Sequence, residues 1–158
     1  MNTTNNDFLF DLIKYKYNEE NQRNFEIDTK NNSMIAFLGV MLTVQTTFGS
    51  FIENMTLLSK LVFILSLVFY LSALILLIHS YYFKTFKTVP NANILESYYN
   101  TFKNKDVILN ELFGDFKRAI DFNREVIKVK VKFSKLGFYL LIFGGLLAVI
   151  FVVTYLIL

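Results

Sequence analysis

The chain contains no cysteine, which excludes disulfides, zinc-thiolate sites and cysteine nucleophiles in one step. Its single histidine, His79, nearly closes imidazole chemistry as well. No P-loop, dinucleotide fingerprint, HExxH motif or nucleophile elbow occurs, and Gly114 and the Gly144, Gly145 pair lack the strand-turn-helix setting such loops need. Charge is scarce too: 18% of the 158 residues are charged against 54% hydrophobic, and mean hydropathy is +0.42. A soluble chain of this length buries about 70% of the surface its unfolded form exposes and disperses its apolar residues among polar ones. Here they arrive in three blocks.

Residues 33–52, 61–83 and 136–158 form those blocks, each free of Asp, Glu, Lys and Arg. A helix of about 20 residues rises ~30 Å, the thickness of a hydrocarbon core. Hydrocarbon offers no partner to an open backbone group, and three short spans cannot close a barrel, so each block is expected to be a helix. His79, Tyr81 and Tyr82 gather at one end of the second block as an interfacial belt. The expected fold is all-α: three transmembrane spans, with a helical extension in the cytosol continuous with the last. Intramembrane catalysis needs paired acids, or a His and an Asp, within the spans, and these have neither, so the expectation is no enzyme, no catalytic residue and no metal site.

Thirty-two mostly polar residues precede the first block, unlike a secretory signal, so residue 1 is expected to persist. Lys and Arg divide as four before the first block, one between the first two and eleven between the second and third. The richer segments belong in the cytosol. The expected organisation is a cytosolic segment 1–32, a transmembrane hairpin 33–83, a cytosolic segment 84–135 and a final span 136–158, in the plasma (inner) membrane with the C-terminus outside. The acceptor pattern Asn54, Met55, Thr56 falls in a turn too short to carry a glycan clear of the membrane.

The first segment has six acids against four bases and the second has six against eleven, so the two attract each other. Leu9, Ile13 and Tyr17 form a helical stripe, with Asp7 placed to favour the helix start. That stripe can lie on a membrane or pack against the other cytosolic helix. Thr88, Val89 and Pro90 break the chain, and a short helix follows over 91–101. A longer one begins near Asp106 as N-cap, with Leu109, Phe113, Phe116, Ile120, Asn123 and Ile127 on one face and a bend at Gly114. Val126 to Phe133 alternates apolar and basic like a strand, but no matching strand exists to pair with it, so helix is preferred.

Lys84, Lys87, Lys128, Lys130, Lys132 and Lys135 form a basic collar at the membrane edge, suited to lipid headgroups or to a nucleotide phosphate. Nucleic acid is a poor partner for a chain of net charge only +3 whose positive residues lie at that edge. Gln45, with Thr46 and Thr47, lies mid-span and must face another helix or water, as interhelical bonding or as a pore lining. Ser66, Ala73, Gly144 and Gly145 are small enough to let helices approach.

Asp28, Thr29, Lys30, then a span containing Gly39, and later Lys130, Phe133, Lys135, Phe138, Phe143 and Gly144, resemble a known group over about residues 25–158. The chain looks like the Pycsar transmembrane effectors of bacterial nucleotide-signalling defence, and more loosely the SLATT two-span effectors. Asp28 and Lys30 match the acid-x-Lys step before the family's first span; the family's Phe-Gly step comes later here, at Phe113 and Gly114. The resemblance implies an oligomeric effector that impairs the inner membrane on a cyclic-nucleotide signal in infected cells, with no other cofactor. A constitutive scaffold recruiting a cytosolic partner and a small channel are the rival expectations.

Overall fold

The computed structural model describes residues 3–50, 56–82, 86–89, 92–102 and 104–157. Four helices follow in order: α1 (Thr3–Gly49), α2 (Leu57–Tyr82), α3 (Ala92–Phe102) and α4 (Lys105–Ile157). No strand occurs among the described residues, so the chain is all-α as expected. Two helices, α2 and α4, hold stretches long and apolar enough to cross a membrane. Only 28% of that stretch in α2 and 17% in α4 is buried within the chain, whereas the core helix of a soluble protein is mostly covered. The apolar run of α1, which carries Gln45 and three threonines, is not among the stretches that pass this test.

Local structure departs from expectation at several places. The N-terminal helix and the block from residue 33 are one helix, α1, and residues 51 and 52 lie outside the described residues, as do Asn54 and Met55. Asp7 lies past the first turn of α1 and pairs instead with Lys105, at 3.0 Å. The N-cap of α4 is Asn104 and not Asp106. Its side-chain oxygen accepts the Asp106 amide at 2.9 Å, and its carbonyl accepts the Ile108 amide at 3.1 Å. The helix runs unbroken through Gly114. Val126 to Phe133 is helical because Val126, Ile127 and Lys130 turn inward together, a spacing no strand provides.

The chain forms two units, residues 1–26 with 84–128 and residues 27–83 with 129–158; α1 and α4 contribute to both. In the first unit Ile13, Tyr17, Phe116, Ala119 and Ile120 make the core, and Phe116 receives Phe10 and Tyr17 edge-on at 5.6 and 5.4 Å. Ile13 and Tyr17 of the expected stripe are buried, while Leu9 stays exposed. The non-helical segment 86–89 is tied to α4 by Asn123. Its amide oxygen accepts the Lys87 N–H at 2.9 Å, and its amide nitrogen donates to the Lys87 carbonyl at 3.0 Å. Asn123 thus supplies the pairing that a neighbouring strand would otherwise give.

In the second unit each of α1, α2 and α4 carries a series of buried positions seven residues apart: Asn31, Leu38 and Gln45 on α1, Ser59, Ser66, Ala73 and Ser80 on α2, and Lys130, Gly137, Gly144 and Phe151 on α4. A strict seven-residue recurrence keeps one seam of each helix toward its partners, as in coiled coils. Tyr70 and Leu77 fill the spaces between the small residues of α2, and an added Cβ at Gly144 would meet the Tyr70 ring at 2.8 Å, one at Gly137 the Leu77 side chain at 2.9 Å. Small residues therefore bring α2 and α4 close enough for Tyr70 and Leu77 to lie on bare backbone. Outside this seam α2 and α4 expose Leu61, Ile64, Val68, Ile75, Phe143 and Val149 among many large apolar side chains.

Candidate functional site

Two polar layers cross the seam of the second unit. In the first, Gln45 of α1 donates to the Phe63 carbonyl at 3.1 Å, and the Ser66 hydroxyl shares its one proton between Gln45 Oε1 at 3.2 Å and the Gly144 carbonyl at 3.1 Å. Both ends of the Gln45 amide are thus spent on joining helices. Thr46 and Thr47 donate to the Thr43 carbonyl of their own helix at 2.9 and 3.0 Å and are exposed. Gly145 has room for a side chain, its nearest neighbour being the Tyr70 hydroxyl at 3.9 Å.

The second layer lies toward the charged ends of the apolar runs. Asn31, wholly buried, donates to Ser80 Oγ at 2.9 Å and accepts from Ser134 Oγ at 2.6 Å; Ser80 in turn donates to the Lys130 carbonyl at 2.9 Å. Beside it the Lys130 ammonium donates to both carboxylate oxygens of Asp28, each at 3.0 Å. The Lys130 side chain is 5% exposed and that of Asp28 23%. Desolvation of this pair is costly, and the two charge-assisted hydrogen bonds between its members offset it.

Lys130 therefore leaves the expected collar and becomes an interior residue that ties α4 to α1. Lys30, Lys132 and Lys135 remain exposed in the second unit. In the first unit Lys128 pairs with Glu125 at 2.6 Å and Lys87 sits over the Phe122 ring at 4.9 Å. Lys84 lies outside the described residues. Asn31, Ser80 and Ser134 are not among the residues expected from the sequence, whereas Asn123 lies on the expected inward face of α4 and is buried there. Spacing marks two of the first three, since Asn31 precedes Gln45 by two sevens and Ser80 follows Ser66 by two.

The first unit holds an open pocket of about 460 Å³ lined by Lys87, Thr88 and Val89 of the extended segment, Ile94 of α3 and Asp115 and Arg118 of α4. Asp115 is held on both oxygens, by Arg118 at 2.7 Å and by the Tyr98 hydroxyl at 2.7 Å. That hydrogen bond favours the neutral phenol and, with partial burial, pushes the Tyr98 pKa above the ordinary tyrosine value. Elsewhere in the first unit Arg124 donates to Glu20 Oε1 at 3.2 Å. Glu20 Oε2 is buried without a hydrogen-bond partner among the described residues. No group of three or more His, Cys, Asp and Glu suited to a metal ion occurs among them.

Comparison of the chain with protein-family models, with curated proteins and with solved structures gives no match.

Proposed function

We propose that the chain is a membrane-embedded effector of cyclic-nucleotide-triggered antiviral defence, which self-associates and impairs the inner membrane. The observation that carries the membrane part of this reading is the exposure of α2 and α4 over their apolar lengths, around an interior whose polar groups are largely paired. Such surfaces are stable against lipid or against another copy of the chain, and not against water. The apolar part of α1 from Ser33 onward adds a third span, because Gln45 and Asn31 meet their partners inside the bundle. Excess Lys and Arg before the first span and after the second put the N-terminus in the cytosol and the C-terminus outside.

The signal part of the reading rests on the resemblance in Asp28, Lys30 and the last span, and on the pocket at Lys87 and Arg118. Its volume suits a mononucleotide. Lys87 and Arg118 would meet a phosphate, Asp115 would accept from an exocyclic amine or a sugar hydroxyl, and Val89 and Ile94 would cover a base face. Asp115 and Arg118 belong to α4, the helix that also carries the last apolar run. Inducible expression with a membrane-potential dye tests the reading. Depolarisation is expected only when a cyclic pyrimidine nucleotide is supplied, and is expected to be lost in Arg118→Gln. Depolarisation without nucleotide, or none with any nucleotide, would remove the effector assignment.

A further inference from the structure

In the second unit α1 and α4 enclose an open groove of about 490 Å³. Its walls are apolar for most of their area, with Met34 of α1 and Phe138 of α4 in the lining. The hydroxyls of Ser33 and Ser134 do not line it as free donors. Ser33 donates back to the Thr29 carbonyl at 3.1 Å and Ser134 donates inward to Asn31 at 2.6 Å, so these small residues contribute space rather than hydrogen bonds. Lys30 on one wall and Lys135 on the other are both exposed, and no acid among the described residues stands within ion-pair distance of either. Their neighbour Lys130 contrasts with them, being sealed against Asp28.

The groove is graded along its length. Lys30 and Lys135 are the last charged residues before the uncharged runs that start at Ser33 and Leu136, and Met34 and Phe138 lie just inside those runs. Exposed Leu136, Phe138 and Tyr139 continue the apolar surface from there. A ligand matched to two unpaired ammonium groups at one end and a thioether and aromatic wall at the other is an anion attached to a hydrocarbon chain. A free phosphate would leave the apolar walls open to water, and a neutral amphiphile would leave both lysines unused. We propose that this groove binds one anionic phospholipid, its phosphate between Lys30 and Lys135 and an acyl chain along Met34 and Phe138. The proposal rests on the reading that these helices stand in a bilayer, and is independent of any signal ligand in the first unit.

The full-length chain in nanodiscs of equal parts phosphatidylcholine and phosphatidylglycerol with matched acyl chains provides the test. Native mass spectrometry of the released protein reads which lipid is retained. Retention of a single phosphatidylglycerol in preference to phosphatidylcholine is expected, weakened by about fivefold for each lysine removed in Lys30→Gln and Lys135→Gln. The charge-matched pair Lys128→Gln and Lys132→Gln, off the groove, is expected to leave the preference intact. Equal retention of both lipids, an equal loss in the off-groove pair, or displacement of the lipid by millimolar inorganic phosphate would overturn the proposal. Flotation on vesicles separates the two layers of inference: a chain that floats with neither lipid removes the membrane reading itself, whereas one that floats but shows no preference removes only the site.

Discussion

Lys130 Nζ lies 3.0 Å from each carboxylate oxygen of Asp28, two residues that share one edge of a buried polar layer although 102 positions separate them in the chain. The pair is nearly closed to water on the lysine side. A buried charge left without its partner is more costly than the pair is favourable. The contact therefore discriminates strongly between registers of α1 and α4: sliding either helix by one turn would part the buried ammonium from its carboxylate. Asn31, Ser80 and Ser134 impose the same condition with neutral groups.

Removing one partner should consequently cost far more than removing both. Asp28→Leu or Lys130→Met alone is expected to destabilise the chain by about 3–5 kcal/mol, and the double substitution to return it to within about 1 kcal/mol of the wild type or above it. Unfolding of the chain in mixed micelles with rising denaturing detergent measures both. Additive single effects would show that the two groups do not interact.

The two adjacent glycines of α4 should respond in opposite ways. At Gly144 a Cβ has the buried Tyr70 ring at 2.8 and 2.9 Å and Phe69 at 3.4 Å, so Gly144→Ala must push α2 away or turn a ring that has no space to turn, at about 1–3 kcal/mol. At Gly145 the nearest atom is 3.9 Å away, and Gly145→Ala is expected to be neutral or to stabilise by up to ~1 kcal/mol. The same unfolding assay ranks them, and equal effects would contradict the packing of α2 on α4.

The elements of this chain differ in how far residue types alone reveal them. The runs 61–83 and 136–158 are legible because leucine, isoleucine, valine and phenylalanine crowd them without a charge, and helix is the one backbone such a run can adopt in hydrocarbon. The acid-base attraction between the N-terminal segment and 84–135 is legible too, and reappears as Asp7 with Lys105 and Glu20 with Arg124. The seam is not legible because hydropathy scores asparagine, serine and lysine as surface residues, and these fill the inward positions at Asn31, Ser80 and Lys130. Lys130 in particular reads as one more cation in an alternating Lys-Val string, and only the helical turn that buries Val126, Ile127 and Lys130 together sets it apart. The cap at Asn104 was displaced by two residues because Asn and Asp are near-equal in that role and both stand at the start of the helix.

Asn123 offers a test of how segment 86–89 is held. Its side chain makes two hydrogen bonds to the Lys87 backbone, and the Tyr17 hydroxyl adds a longer one to the Lys87 carbonyl at 3.4 Å. Asn123→Ala is expected to lower stability by about 1–3 kcal/mol and to speed tryptic cleavage after Lys87 several-fold, with the rest of the helical signal retained. Asn123→Asp, which accepts from the Lys87 amide but cannot donate to its carbonyl, should fall between. A cleavage rate unchanged in both variants would show that the segment is held by other contacts.

The pH response of the first unit follows from Tyr98. Its hydroxyl donates to Asp115 at 2.7 Å, which raises its pKa in the folded chain above that of the unfolded one. A group with a raised folded pKa contributes stability that is fully present below the unfolded value, about 10 for tyrosine, and is lost as pH rises through the folded value. Wild type and Tyr98→Phe should therefore differ in thermal stability by a constant margin from neutral pH to about pH 10, with the margin closing above it as the phenolate forms beside the Asp115 carboxylate. Parallel melting curves across that range measure it. A margin that closes on the acid side of pH 9, or that persists unchanged beyond pH 11, would mean that the Tyr98 proton is not what joins α3 to α4.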